Sequence, residues 1–249
     1  MDAVNTILSH RSIRKYKDKS IEPQLLKSVL EAGIRASTTG NMQVYSVIVT
    51  TDEEIKAQLS PAHFNQPMVK KAPVVLTFCA DFNRFNKWCL QRNASAGYDN
   101  FLSFMTAAID ALLVAQNVCI AAEANGLGIC YLGTTTYNAD KIIDTLKLPK
   151  GVIPVTTVTI GYPDEAPELT ERLPLEAVIH EDVYHDYSQN DIDRLYSEKE
   201  NLEINKQFVK ENSKETLAQV FTDVRYSKKD NEHFSEVLLK VLKKQGFME

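Results

Sequence analysis

Hydrophobic positions along this chain fall into two kinds of run. Residues 44–50, 73–80 and 153–161 are continuous and rich in β-branched side chains, and Pro163 stops the last of them. Strands of that kind carry no polar face, so the sheet they form is expected to be covered by helices on both sides. The intervening stretches repeat at helical spacing. Val4, Ile7 and Leu8 form a short amphipathic turn, and Leu25, Leu26, Val29 and Leu30 follow Glu22-Pro23, where proline suits a first helical turn. Asp52 is placed to cap a helix running to Leu59, residues 138–146 form another, and Phe234, Val237, Leu238, Val241 and Leu242 mark a last amphipathic helix.

Residues 104–124 are apolar nearly all round and rich in Ala, Leu and Met. Asp110, Gln116, Asn117 and Glu123 interrupt them, leaving less than the roughly 20 apolar residues a membrane span requires, so a buried central helix is expected. After Pro174 the character changes, and residues 188–214 are dense in Lys and Glu, the pattern of a solvated helix face. The expected organisation is a core over residues 1–174 and an extension over residues 175–249 that packs back on the core or reaches a partner subunit.

Composition narrows the function. With 249 residues, 44% hydrophobic and 24% charged, the chain is an ordinary globular protein, and a net charge of -5 argues against nucleic acid as a partner. The N-terminus lacks a charged region followed by an apolar run, and the four cysteines form no Cys-x-x-Cys pair. Reduced thiols in a cytoplasmic protein are expected, with no membrane and no metal.

Against that acidic background, His10-Arg11-Ser12-Ile13-Arg14-Lys15 is a local basic cluster with a hydroxyl in it. If the helical phase of the preceding turn persists, Arg11 and Arg14 share a face, and a guanidinium beside a hydroxyl suits a phosphate. The alternative is a set of cations closing a helix C-terminus. A second feature, NGLGICYLG, mimics a dinucleotide fingerprint, but Tyr131 stands where the third glycine belongs and the stretch follows a helix. Asn125-Gly126 is better read as a helix cap, while Gly133 lets backbone approach a flat ligand. The loop from Arg35 to Gln43 is dense in hydroxyl and amide groups, and Arg172 stands alone in a proline-bounded loop.

Taken together and in order, His-Arg-Ser-Ile-Arg, the Ser/Thr loop with Asn41 and Gln43, Phe78-Cys79-Ala80-Asp81-Phe82-Asn83-Arg84, the segment from Leu127 to Gly133 and Arg172-Leu173-Pro174 make the chain resemble the nitroreductase family. Within it, the likeness is to the oxygen-insensitive NADPH nitroreductase and flavin reductase branch. The resemblance implies an α+β, three-layer fold with a mostly antiparallel sheet between helices. It also implies a homodimer with FMN at the subunit interface and extensions embracing the partner.

Carried over by position, His10, Arg11, Ser12 and Arg14 match the flavin motif, with Arg11 and Ser12 at the phosphate and ribityl end and Arg14 at the pyrimidine edge. Thr38, Thr39 and Gly40 match a small-residue loop, Gln66 an amide near the pyrimidine, and Tyr131, Leu132, Gly133 and Thr134 the backbone facing N5. Arg172 matches a second phosphate ligand. Thr170 stands where the branch often has Lys, Ser235 near its usual basic residue, and Asn41 in place of an aromatic; Lys206, Lys210, Lys214 and Arg225 are the candidate substitutes for the 2′-phosphate contact, and Asn41 and Arg225 are the substrate-side candidates.

The implied chemistry is hydride transfer from NADPH or NADH to the flavin and on to a small-molecule electron acceptor, a nitroaromatic, quinone or free flavin, in a ping-pong scheme without a protein nucleophile. Loss of the nicotinamide contacts would favour a flavin-storage or regulatory protein instead.

Overall fold

The computed structural model describes residues 2–249. Two compact units emerge: residues through Glu168 together with Phe234–Glu249, and Leu169–His233. The change of composition after Pro174 lies a few residues beyond that division.

The first unit is built on a four-stranded sheet of β1 (Tyr45–Thr50), β2 (Val74–Asp81), β3 (Gly128–Leu132) and β4 (Val152–Gly161), in the order β1-β2-β4-β3. Every pairing between these strands is antiparallel, as the family resemblance implies. All of β2 is buried, which its unbroken apolar run anticipates. Pro154 has no N–H to give the ladder, and the register slips beside it: Phe78 pairs with Thr156 and Cys79 with Pro154, leaving Val155 over.

One face of the sheet packs on α2 (Pro23–Gly33) and α6 (Phe101–Ala124), where Leu76, Phe78, Val158 and Ile160 meet Val29, Val114 and Val118. The other is covered by α3 (Glu53–Leu59), α4 (Pro67–Lys71) and α7 (Ala139–Leu146), around Leu59, Val69, Leu132 and Ile142. By length and composition α6 is the one helix among the described residues able to cross a membrane, but half of that apolar window is buried inside the protein. It starts on an Asn100 side chain that accepts the Ser103 N–H at 3.0 Å. It ends as the Asn125-Gly126 pair predicts: Gly126 takes a left-handed φ of 76°, and the Leu127 N–H returns to the Ala122 carbonyl.

The remaining helices of this unit are α1 (Ala3–Leu8) and α5 (Asn83–Gln91). The second unit carries α8 (Gln189–Asn201), α9 (Glu203–Glu211) and the single turn α10 (Leu217–Val220). A capping box between Ser188 and Asp191 opens α8, and Lys199 pairs with Glu171 at 2.9 Å. The last helix, α11 (Lys228–Gln245), contributes Val241 and Leu242 to the first unit, where they and Phe247 are buried near Ala80, Phe82 and Ile153.

Candidate functional site

The basic motif is not helical. Asp2 caps α1, the helix finishes at Leu8, and from there the chain runs extended along the free edge of the sheet. Ser12 bridges Ile129 in parallel, the Ile13 N–H donates to the Ile129 carbonyl at 2.8 Å, and the Lys17 N–H donates to the Tyr162 carbonyl at 2.9 Å. The expectation that Arg11 and Arg14 share a helical face is therefore overturned. An edge strand offers the segment backbone partners that a continued helix would leave to solvent. Gly128 makes the approach possible, since a Cβ there would lie 2.6 Å from Ile13. Tyr16 pins the far end, its buried hydroxyl donating to the Ile13 carbonyl at 2.7 Å. Burial raises its pKa far above the ordinary phenol.

Extended geometry divides the motif by twos. Arg11 and Ile13 line a cavity of about 350 Å3 with Glu123, Gly128 and Glu165, and Arg11 Nη1 donates to the Ser9 carbonyl at 3.0 Å. Ser12 and Arg14 alternate to the other side. Among the described residues, neither the Ser12 hydroxyl nor the Arg14 guanidinium has a hydrogen-bond or ion-pair partner. The carboxylates nearby are already engaged: Glu123 holds His10 Nδ1 at 2.6 Å, and Glu165 accepts the backbone N–H groups of Arg14 and Lys15. Burial raises the Cys130 thiol pKa on β3, with the Arg14 cation and the Glu165 carboxylate acting on it in opposite senses. A hydroxyl and a guanidinium without acidic partners are the donor set a phosphate monoester takes.

At the other end of β3 the chain leaves the sheet through Gly133 and Thr134. Space beside Gly133 is open, with no atom within 4 Å of where a Cβ would stand. Leu132 is buried in the core, and the Tyr131 side chain turns toward α6, its hydroxyl 3.4 Å from Gln116, so these two residues offer backbone rather than side chain. The Thr134 hydroxyl meets His63 Nδ1 at 2.9 Å. His63 is fully buried, and desolvation lowers its pKa to about 4, so it is neutral at pH 7. Its Nε2 is buried without a partner. Gln66 follows three residues on, its N–H donating to the His63 carbonyl at 3.1 Å. Gln66 and the Gly133-Thr134 turn are thus brought into one neighbourhood.

The small-residue loop is placed by α6. Asp110, one of the polar residues that interrupt that helix, is 1% exposed and accepts the Thr39 N–H at 2.9 Å. Thr38 precedes a tight turn in which Gly40 and Asn41 take φ of 56° and 55°, and Gln43 donates to the Asn41 side chain at 3.2 Å. Among the described residues, no hydrogen bond joins this loop to Ser12 or Gly133 within one chain.

The Nitroreductase family model matches residues 7–162, the stretch that runs from the basic motif to the end of β4. The chain belongs to the nitroreductase family. The FMN reductase (NADPH) of Bacillus subtilis is 37% identical over 186 residues, covering 74% of this chain and 75% of that protein. Among solved structures, a Bacteroides fragilis protein is 64% identical with a TM-score of 0.97, covering 98% of this chain and all of that one. A nitroreductase from B. subtilis is 31% identical with a TM-score of 0.86, each chain covered to 99%.

Two site candidates lie in the second unit of the chain and are described there alone. Arg172 is exposed, and its Nη1 donates to the carbonyls of Thr170 and Glu171 at 3.1 and 2.9 Å. Arg225 lies over the Phe208 ring at 4.6 Å, a cation held on an aromatic face. Sequence reasoning missed His63 altogether. Its one signal, a histidine between Ala62 and Phe64, has no meaning until Thr134 is beside it.

Proposed function

We propose that this nitroreductase-family chain is an FMN-dependent NAD(P)H oxidoreductase that passes hydride to nitroaromatics, quinones or free flavin. The observation that carries the reading is the Ser12–Ile129 bridge, which sets a partnerless hydroxyl and guanidinium against a strand whose other end opens at Gly133. FMN, when bound, supplies the two-electron chemistry, taking hydride from the nicotinamide and returning it to the acceptor.

The chain's own residues supply binding and orientation. Ser12 and Arg14 hold the anionic and polar edge from one side of the segment, His10 stays anchored by Glu123, and Arg11 adds positive charge from the cavity side. Leu132, Gly133 and Thr134 present backbone to the ring system, with Tyr131 turned away beneath them, and Gln66 offers its amide beside that turn. By the family resemblance alone, Arg172 is assigned to the phosphate and Asn41 and Arg225 to the substrate side. NADPH or NADH is the donor.

A homodimer completes the site, with Thr38, Thr39 and Gly40 of one subunit lying at the flavin of the other. Support comes from α6, which is the core helix and yet exposes Leu102, Met105, Ile109 and Leu112 at helical spacing, 75%, 40%, 51% and 45% accessible. Covering such a stripe with its symmetric copy is the ordinary way to bury it. Four free, buried cysteines fit a reducing compartment, the cytoplasm.

The test is an anaerobic visible spectrum of the purified protein before and after NADPH, then NADH, then a quinone. A flavin band that bleaches with donor and returns with acceptor is the expected result. A flavin that stays oxidised with both donors rejects the reductase in favour of a storage protein, and a colourless protein that takes up no FMN rejects the flavin site.

A further inference from the structure

Thr134 is a hub for more than the putting together of Gly133 and Gln66. Its carbonyl accepts the Tyr137 N–H at 3.2 Å, and its hydroxyl meets His63 at 2.9 Å. Tyr137 and the residue after His63, Phe64, are therefore both tethered to the turn proposed to face the flavin. Phe234, from α11, joins them: its ring stacks on Tyr137 with centroids 4.4 Å apart and planes 7° from parallel, and meets Phe64 edge-on at 6.0 Å.

Core packing does not account for Phe64. Its side chain is 53% exposed, so the ring recovers little by burial. Its backbone is nevertheless held at a left-handed φ of 52°, and Asn65 follows at 55°. The left-handed turn closes the short 3-10 helix Ser60–His63, the Phe64 N–H donating to the Pro61 carbonyl at 3.2 Å and the Asn65 N–H to the Ser60 carbonyl at 2.8 Å, so the backbone of Phe64 is fixed by the helix end. Here the two left-handed residues turn the chain between His63, bonded to Thr134, and Gln66, and in doing so leave the Phe64 ring in the open.

We infer that Phe64 and the stacked pair Tyr137–Phe234 form an aromatic wall beside the Gly133-Thr134 turn that selects planar aromatic acceptors over aliphatic ones. This rests on the oxidoreductase reading above, since the turn matters as a reaction site only if flavin lies there. The wall presents ring faces and edges, which attract flat, electron-poor ring systems by stacking and by edge-to-face contact. Fused two-ring ligands cover more of it than single rings. An aliphatic acceptor gains only buried area.

The experiment uses the FMN-loaded protein, oxidised and without donor, and measures binding by calorimetry with two non-reducible probes of like charge, 2-naphthoate and cyclohexanecarboxylate. The wild type is expected to bind 2-naphthoate the more tightly. Phe64→Gly suits the test because glycine takes the left-handed conformation freely and the lost ring is half exposed, so the fold is retained. In that variant 2-naphthoate should bind about five- to tenfold more weakly. Cyclohexanecarboxylate should change little, and the thermal midpoint should hold or rise. Phe64→Tyr should bind 2-naphthoate like the wild type.

Unchanged 2-naphthoate affinity in Phe64→Gly, or equal weakening of both probes, overturns the wall. FMN released on denaturation is measured alongside. Stoichiometric FMN with unchanged probe binding rejects the wall alone, whereas a wild type that holds no FMN rejects the wall together with the reading it rests on.

Discussion

His63 and Thr134 are joined by a 2.9 Å hydrogen bond across 71 residues of sequence, and the histidine that makes it is fully buried and neutral. The bond ties the short 3-10 helix Ser60–His63 to the turn after β3, and the Asn138 side chain adds a second tie by donating to the Ala62 carbonyl at 3.0 Å. The chemistry of His63 sets a pH window for the fold.

Burial lowers the His63 pKa from an ordinary 6.5 to about 4 in the folded protein. Between those values the unfolded chain binds the proton and the folded one does not, so stability is complete above pH 6.5 and is lost progressively as pH falls toward 4. On moving from pH 7 to 5 the loss from this group is about 2 kcal/mol. Urea unfolding at the two values checks it: His63→Gln should show a loss smaller by about that amount than the wild type, and equal losses in the two proteins would contradict the assignment.

The alternation of the basic motif separates Arg14 from Arg11. Charge-assisted hydrogen bonds contribute about 1.5–3 kcal/mol each, so Arg14→Ala is expected to weaken FMN binding by roughly 10- to 100-fold. Arg11→Ala, on the cavity side, removes a screened charge rather than a direct hydrogen bond and should cost only a few-fold, about 0.5–1 kcal/mol. Flavin titrations of the two apoproteins decide the matter, and the reverse ranking would mean that Arg11 is the direct ligand.

Gly128 is where the N-terminal segment touches β3. A methyl group there would stand 2.6 Å from Ile13 Cγ1 and 2.7 Å from its Cβ, both in a packed interior. Gly128→Ala should therefore destabilise the fold by about 1–3 kcal/mol, as overpacking does. Because the displaced segment carries Ser12 and Arg14, FMN retention should fall with it. A variant with wild-type melting temperature and full flavin would show that the segment is not held by this contact.

The exposed stripe of α6 predicts the assembly. Ile109→Glu places a charge at its centre without touching the buried side of the helix. Sedimentation should show a dimer for the wild type and a monomer for the variant, and FMN should be lost with the partner's Thr38–Gly40 loop. A variant that remains a dimer would place the interface elsewhere.

By itself the sequence determined the three long strands, the central helix and its glycine cap. Each rests on a signal read within a few residues: unbroken β-branched runs at 44–50, 73–80 and 153–161, apolar positions all round 104–124, and Asn125-Gly126 after them. The family's motifs were legible for the same reason.

Tertiary structure alone decided the rest. Strand β3 is five residues beginning with glycine, too short to declare itself, and exists because β4 pairs with it. Residues 10–16 carry a spacing that suits a helix, yet run extended because partners remote in sequence take up their backbone groups: Ile129 on β3 for Ile13, Glu165 for Arg14 and Lys15, and the Asp164 N–H for the Lys15 carbonyl. The His63–Thr134 contact has no local signal in either segment. Local propensity acts over one or two turns of chain, whereas these features depend on hydrogen-bond partners and packing neighbours that only folding brings within reach.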